Sequence, residues 1–386
     1  MKIFDVAIIG GGVIGASIAF ELAEKKLRVV LLDRQQPGQE ASWAAAGMLS
    51  PGPHLPGDLP LVPLGQESLR LYPQFVAAVE EASGKSAAYA RHGALEIFLP
   101  PRGEAERDKL VSEYRGLGLA AEPVSLDTVR QWEKTINPAM RAAAWLPEEG
   151  TVEPRALMDA VLTAARRRGV EIRSDCPVTG LLREHDRCTG VVVGSEKIAA
   201  AHVVVAAGCF CGEIARDDDL FARYAPTRPV RGQMLALRPD GVNLQRVVRA
   251  GRGYLVPRRD GRIIVGSTLE NVGFDKRVTA GGIRQMLDAA LEMLPDLAGA
   301  ELVESWAGLR PGTPDDLPIL GPTDVEGLLI ATGHYRNGIL LAPVTAKLVR
   351  GWIVNGRTTF EAGAFSPLRF SSRRPQESPK SMSRGT

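Results

Sequence analysis

Three stretches of this chain predict an α/β fold, with a discontinuous Rossmann-like domain beside a second, largely antiparallel-sheet domain. Residues 3–33 read as strand, glycine turn, helix, strand and acid. Residues 329–349, LIATGHYRNGILLAPVTAKLV, read as strand, glycine-rich turn and helix. Between them, residues 227–310 are rich in strand patterns. The two ends complete one nucleotide-binding unit only if the chain folds back on itself, so the middle has to supply the rest of the molecule.

The first stretch opens with Ile3, Val6, Ala7, Ile8 and Ile9, an apolar run suited to a buried parallel strand. Gly10, Gly12 and Gly15 follow as G-x-G-x-x-G. The first permits a tight turn, the second lets backbone approach a pyrophosphate, and the third lets the helix pack against the strand. Ala16, Ile18, Ala19, Leu22 and Ala23 give that helix an apolar face. Val13 and Ile14 stand in its first turn, where free N–H groups and the helix dipole favour phosphate. A second strand, Arg28–Leu32, ends in Asp33, followed by Arg34. Asp33 lies 23 positions after Gly10, close to the spacing of about 20 at which an acid meets a ribose diol.

Further along, residues 51–63 form a loop rich in Pro and Gly, followed by a helical segment. Ala94–Leu99 reads as a strand, and Glu104–Gly116 and Pro154–Val170 read as helices. The run from His202 ends in Ala207-Gly208, a strand and glycine turn placed close to the nucleotide in such folds. Arg259-Asp260-Gly261 predicts a hairpin turn. The resulting division is 1–84, 150–220 and 311–362 for the nucleotide domain, and 85–149 and 221–310 for the second. Residues 367–386 are polar and read as a disordered tail.

Composition narrows the function. A net charge of +2 over 386 residues leaves no nucleic-acid surface, and Arg166, Arg167 and Arg168 suit a helix C-terminus. No apolar stretch approaches the roughly 20 residues of a membrane span, and the interrupted N-terminus does not read as a signal peptide. A cytoplasmic, soluble enzyme is the expectation. Cys176, Cys188, Cys209 and Cys211 include one C-x-C but no zinc-ligand set, so no metal is expected.

GGGVIGASIAFELA, ASWAAAGML, YLVPRRDGRIIVGST, WAGLRPGTPDDLPILGP and GHYRNGILLAP together resemble the FAD-dependent glycine oxidases. These form the thiamine-pathway branch of the D-amino-acid oxidase and sarcosine oxidase family. The resemblance runs from residue 1 to about 355. It implies non-covalent FAD, a small amino-acid substrate and O2, with no catalytic side chain because hydride passes from Cα to flavin N5. It also implies a homotetramer and transfer of the imine product to a thiazole synthase.

The chemistry then asks for a carboxylate anchor, and a guanidinium binds a carboxylate bidentately. Arg310 matches the family's arginine for that role and Tyr254 its tyrosine. Arg336 matches a second arginine near flavin and substrate, with substrate, flavin or its own loop as partners. Met48 and Leu269 stand at the substrate pocket, Leu269 where a methionine is common. The resemblance assigns Ser42, Ala45, Ala46, Gly47 and Met48 to the segment beside the isoalloxazine, and Val178 to the adenine. Gly333, His334, Arg336, Asn337, Gly338 and Ile339 fall beside the pyrimidine ring, His334 as structural or flavin-adjacent. The alternative reading is a D-amino-acid or D-proline dehydrogenase that passes electrons to a carrier or quinone.

Overall fold

The computed structural model describes residues 3–53, 56–214, 219–251 and 253–371. The first of two eight-stranded sheets has the order Ile319–Pro322, Leu328–Thr332, Glu196–Val205, Ile3–Ile9, Val29–Leu32, Glu171–Arg173. Every pairing along this order after the first is parallel, and the hairpin of Val178–Glu184 and Arg187–Val193 extends it from Glu196–Val205. Strand Ile3–Ile9 is buried on both faces: Val6 and Ile8 meet the helical layer, while Phe4, Ala7 and Ile9 meet the hairpin side. That double burial is why Val6–Ile9 is continuously apolar rather than alternating.

Helix Val13–Ala23 is more enclosed than its predicted single apolar face, because every residue in it is buried. Helices Pro154–Arg167 and Gly338–Asn355 flank it, and Val62–Ser83 packs on both of those. Its acidic residue, Glu21, is matched by Arg350 at 2.7 Å. The two glycine-turn helices from opposite ends of the sequence are therefore direct neighbours. The Pro-rich loop is shorter than expected, since Pro63 enters helix Val62–Ser83, in the first turn where its missing N–H costs nothing.

The second sheet has the order Glu301–Gly312, Arg228–Arg238, Ile263–Gly266, Gly253–Pro257, Val247–Ala250, Ala94–Phe98, Ala142–Leu146, Glu122–Val124. Its pairings are antiparallel except that Val247–Ala250 runs parallel to Ala94–Phe98. The predicted hairpin turn is present, with Gly261 at φ 84°. Leu95, Ile97, Leu235, Val248 and Leu255 face helix Ala280–Met293. The opposite face carries Phe98, Met234, Val256 and Trp306. One register row crosses that face: Glu96 pairs with Arg249, Arg249 with Tyr254, Tyr254 with Gly266, Gly266 with Met234, and Met234 with Trp306.

The start of the predicted tail is ordered: Pro367–Phe370 form a 3-10 turn with Phe370 buried and Arg369 paired to Asp315 at 2.9 Å. An aromatic and an ion pair dock this segment despite its polar surroundings. The rest of the predicted tail, 372–386, lies outside the described residues.

Candidate active site

A cavity of about 1090 Å³ is walled by residues of both sheets. At one end, Gly10, Gly12, Val13 and Ile14 line it beside Asp33, Arg34, Val178, Ala207 and Gly208. Gly10 has φ 103°, and a Cβ there would collide with the Ala206 carbonyl. Gly15 is off the wall: a Cβ on it would strike the Gly10 carbonyl, so its work is helix–strand packing. The Asp33 carboxylate accepts from the Gly11 N–H at 2.7 Å and the Gln35 N–H at 3.0 Å. Burial raises its pKa, with those two N–H bonds opposing the rise. A bare glycine turn, the start of a helix and an acid on one wall fit the ADP half of a dinucleotide.

The segment Ser42–Met48 lines the next part of the cavity. It is held from every side. Ser42 Oγ accepts from the Val13 N–H at 2.9 Å, and Trp306 Nε1 donates to the Ala44 carbonyl at 3.1 Å. Arg258 donates to the Ala46 carbonyl at 2.7 Å and pairs with Glu153. Opposite, His334, Tyr335, Arg336, Asn337, Gly338 and Ile339 form the wall at the start of helix Gly338–Asn355. Gly333 lies behind that wall at φ 72°, with the Thr313 methyl where a Cβ would go. His334 is buried, and its Nε2 lies 3.0 Å from Thr345 Oγ1. Burial pushes its pKa down to about 3, which keeps the ring neutral.

Arg310 sits at the far end. It donates to Ser267 Oγ at 2.7 Å and to the Thr268 carbonyl at 3.3 Å, and it makes no ion pair among the described residues. Burial lowers its pKa, the neighbouring Tyr254 opposes that, and Arg336 reinforces it. A Cβ at Gly232 would run into the guanidinium, so that glycine makes its room. A largely desolvated cation without a carboxylate is an open anion site. Met48 and Leu269 also line the cavity, and Leu269 is 48% exposed.

Matching the chain to known proteins decides the family. The model for FAD-dependent oxidoreductases of the DAO type covers residues 5–352. The chain belongs to the FAD-dependent oxidoreductase family. A glycine oxidase of Pseudomonas putida is 34% identical over 94% of this chain and 98% of its own. The crystal structure of the Geobacillus kaustophilus glycine oxidase superposes with a TM-score of 0.87 at 33% identity, covering 96% of this chain and 99% of that one. The bifunctional ThiO/ThiG protein of Synechocystis sp. is 36% identical over 95% of this chain but only 54% of its own length. The chain therefore spans about half of that relative. FAD is the cofactor of this family, and the glycine turn, Asp33 and the walls above are built to fit it.

The tertiary structure adds residues that the sequence did not single out. Ser267 and Thr268 hold Arg310. Ser50, Glu96, Tyr114 and Arg249 line the cavity beyond Tyr254. No local motif marks Glu96 or Arg249; only strand pairing joins them. The cysteines, distant in sequence from Gly333, are close in space: Cys211 Sγ lies 3.5 Å from Thr332 Oγ1, and Cys209 lines the cavity. Burial pushes their thiols up to about 11 and about 12, so both stay protonated. Among the described residues no helix is long and apolar enough to cross a membrane.

Proposed function

We propose that this chain oxidises glycine and other small amines such as sarcosine and small D-amino acids. With glycine, O2 and water the products would be glyoxylate, or its imine before hydrolysis, ammonia and hydrogen peroxide. The reading rests above all on Arg310, a guanidinium on the cavity wall with no carboxylate partner among the described residues. Two glycine oxidases related along nearly their whole length support it.

FAD, when bound, would supply the two-electron acceptor for the hydride. The chain's part is positioning. Arg310 and the Tyr254 hydroxyl beside it receive the substrate carboxylate and thereby fix Cα. Arg336, exposed, lining the same cavity and without an ion pair among the described residues, adds positive field. Met48 and Leu269 bound the pocket. The neutral His334 is tied to Thr345 and takes no proton in this scheme. Gly10, Gly12, Val13, Ile14, Asp33, Arg34, Val178, Ala207 and Gly208 hold the ADP half. Ser42, Ala45–Gly47 and Asn337–Ile339 hold the ring system, without a covalent bond.

In this reading the parallel sheet is the cofactor domain and the antiparallel sheet the substrate domain. A homotetramer and delivery of the imine to a thiazole synthase extend the proposal. The half-length match to a ThiO/ThiG protein supports the second extension. The test is flavin absorbance on anaerobic mixing with glycine, sarcosine, D-alanine or D-proline, followed by air. Bleaching by glycine and prompt recovery with peroxide is the expected result. Bleaching only by a larger D-amino acid, with slow recovery in air, would replace the oxidase with a dehydrogenase.

A further inference from the structure

The cavity does not end at Tyr254. Arg249 is the direct cross-strand partner of Tyr254, and Glu96 is the partner of Arg249 on the next strand. Residues paired in register share a face of the sheet, and all three line the cavity. Neighbouring strands are about 4.8 Å apart, so this charged wall begins roughly 5 Å from Tyr254 and reaches roughly 10 Å.

Hydrogen bonding fixes what this wall can still accept. The guanidinium of Arg249 is fully engaged. Its Nε donates to Glu96 Oε2 at 3.1 Å, and Nη1 donates to Ser50 Oγ and Glu149 Oε2, both at 3.0 Å. Its Nη2 donates to Glu149 Oε1 at 3.1 Å. The Tyr114 hydroxyl bonds to the same group. Glu149 is also spent, on Arg249 and on Ser50 at 2.8 Å. Glu96 differs: Oε2 faces Arg249, whereas Oε1 has no hydrogen-bond partner among the described residues, and the side chain is 13% exposed. Two carboxylates share one guanidinium, and among the described residues Glu96 Oε1 is left as an open acceptor.

Such a cluster is an expensive wall for a cavity that needs only to fit glycine. Apolar residues of similar volume are commonly as stable as a buried ion-pair triad, or more so. We propose that Glu96, held by Arg249, is a second subsite that receives an N–H-donating, preferably cationic, group at the end of an amino-acid side chain. Glu96 stands two strand spacings from Tyr254, but its carboxylate leans onto Arg249 Nε. With the substrate carboxylate on Arg310 and Tyr254, a side chain of about four atoms, at about 1.5 Å per bond, covers the remaining distance of roughly 6 Å. Ornithine has that length. The inference rests on the reading of Arg310 and Tyr254 as the carboxylate site.

The test compares ornithine with norleucine, its uncharged counterpart of equal length, each as both enantiomers, on the FAD-loaded enzyme. In the wild type, kcat/KM for ornithine exceeds that for norleucine by about tenfold or more for one enantiomer. Glu96→Gln, which keeps an acceptor for Arg249, brings the ratio close to one with flavin content and melting temperature retained. A wild-type ratio of one or less, or a ratio that survives Glu96→Gln, overturns the subsite. Arg310→Ala is run alongside with glycine. An unchanged glycine KM in that variant defeats the carboxylate reading, whereas a raised KM with no ornithine preference defeats the subsite alone. If no amine bleaches the flavin, the proposed reaction falls, and the ornithine-to-norleucine ratio is read instead from dissociation constants by calorimetry.

Discussion

The two ends of the cavity are built in different ways. The nucleotide end is made of backbone: Gly10 and Gly12, the first turn of helix Val13–Ala23, and Asp33, whose carboxylate is bonded to an N–H 22 positions away. The end that holds Arg249 and Glu96 is made of long side chains from distant strands, those two being 153 positions apart. The first offers a ligand shape and amide dipoles, and the second offers charge. A compact sequence motif can encode the first. The second exists only after the antiparallel sheet has closed.

The contrast can be tested by damaging each end. Gly15→Val should have the largest effect. Its side chain meets the Gly10 carbonyl, and overpacking of this kind costs about 3 kcal/mol or more. The purified variant should carry little flavin by absorbance and unfold at lower denaturant. A variant with full flavin would show that the backbone end tolerates a side chain after all.

Arg310→Ala should leave flavin bound and raise the glycine KM. Removing one partner of a desolvated charge pair costs about 3–5 kcal/mol, or about two to three and a half orders of magnitude. Steady-state kinetics with unchanged flavin content would separate this end from the first. Substrate dependence like the wild type's would mean that the carboxylate sits elsewhere.

His334 sharpens the comparison through pH. Its folded pKa of about 3 lies below its ordinary 6.5 because burial disfavours the cation. The unfolded chain therefore binds a proton first. The ring's contribution to stability is whole above pH 6.5 and is lost as pH falls toward 3, at up to about 1.4 kcal/mol per unit. His334→Asn should flatten the acid limb of a plot of urea midpoint against pH. An unaltered limb would assign the acid sensitivity to other groups.

Asp33→Asn should be the mildest. An amide keeps an acceptor for the Gly11 N–H but gives the ribose diol a poorer partner, so FAD should bind with a loss of about 1 kcal/mol, or about fivefold. Fluorescence titration of the apoprotein reads it. A loss as large as that expected for Arg310→Ala would show that charge matters at both ends.

Much of the first end was legible in the chain itself. The glycine spacing, the apolar strand and Asp33 predicted a turn that the structure contains, because all the parts lie within 31 consecutive residues. Arg310, Tyr254 and Arg336 were legible only through whole motifs shared with related proteins, and the structure brings all three to one cavity. Arg249, Glu96 and Ser267 were not legible. An arginine in a strand looks the same whether it faces solvent or a cavity until its partner strand is known. The same holds for the depth of helix Val13–Ala23, which reads as one-sided but is enclosed by helices from residues 62–83, 154–167 and 338–355.

By itself the sequence determined the local conformations: where glycine must replace a side chain, where the apolar period switches between strand and helix, and which acid follows the turn. These depend on φ, ψ and hydrophobic contrast over a few residues. Only the tertiary structure decided which charges share a low-dielectric wall. Strand order and register set those distances, leaving Arg310 without a carboxylate partner among the described residues while placing Glu96 and Glu149 on Arg249.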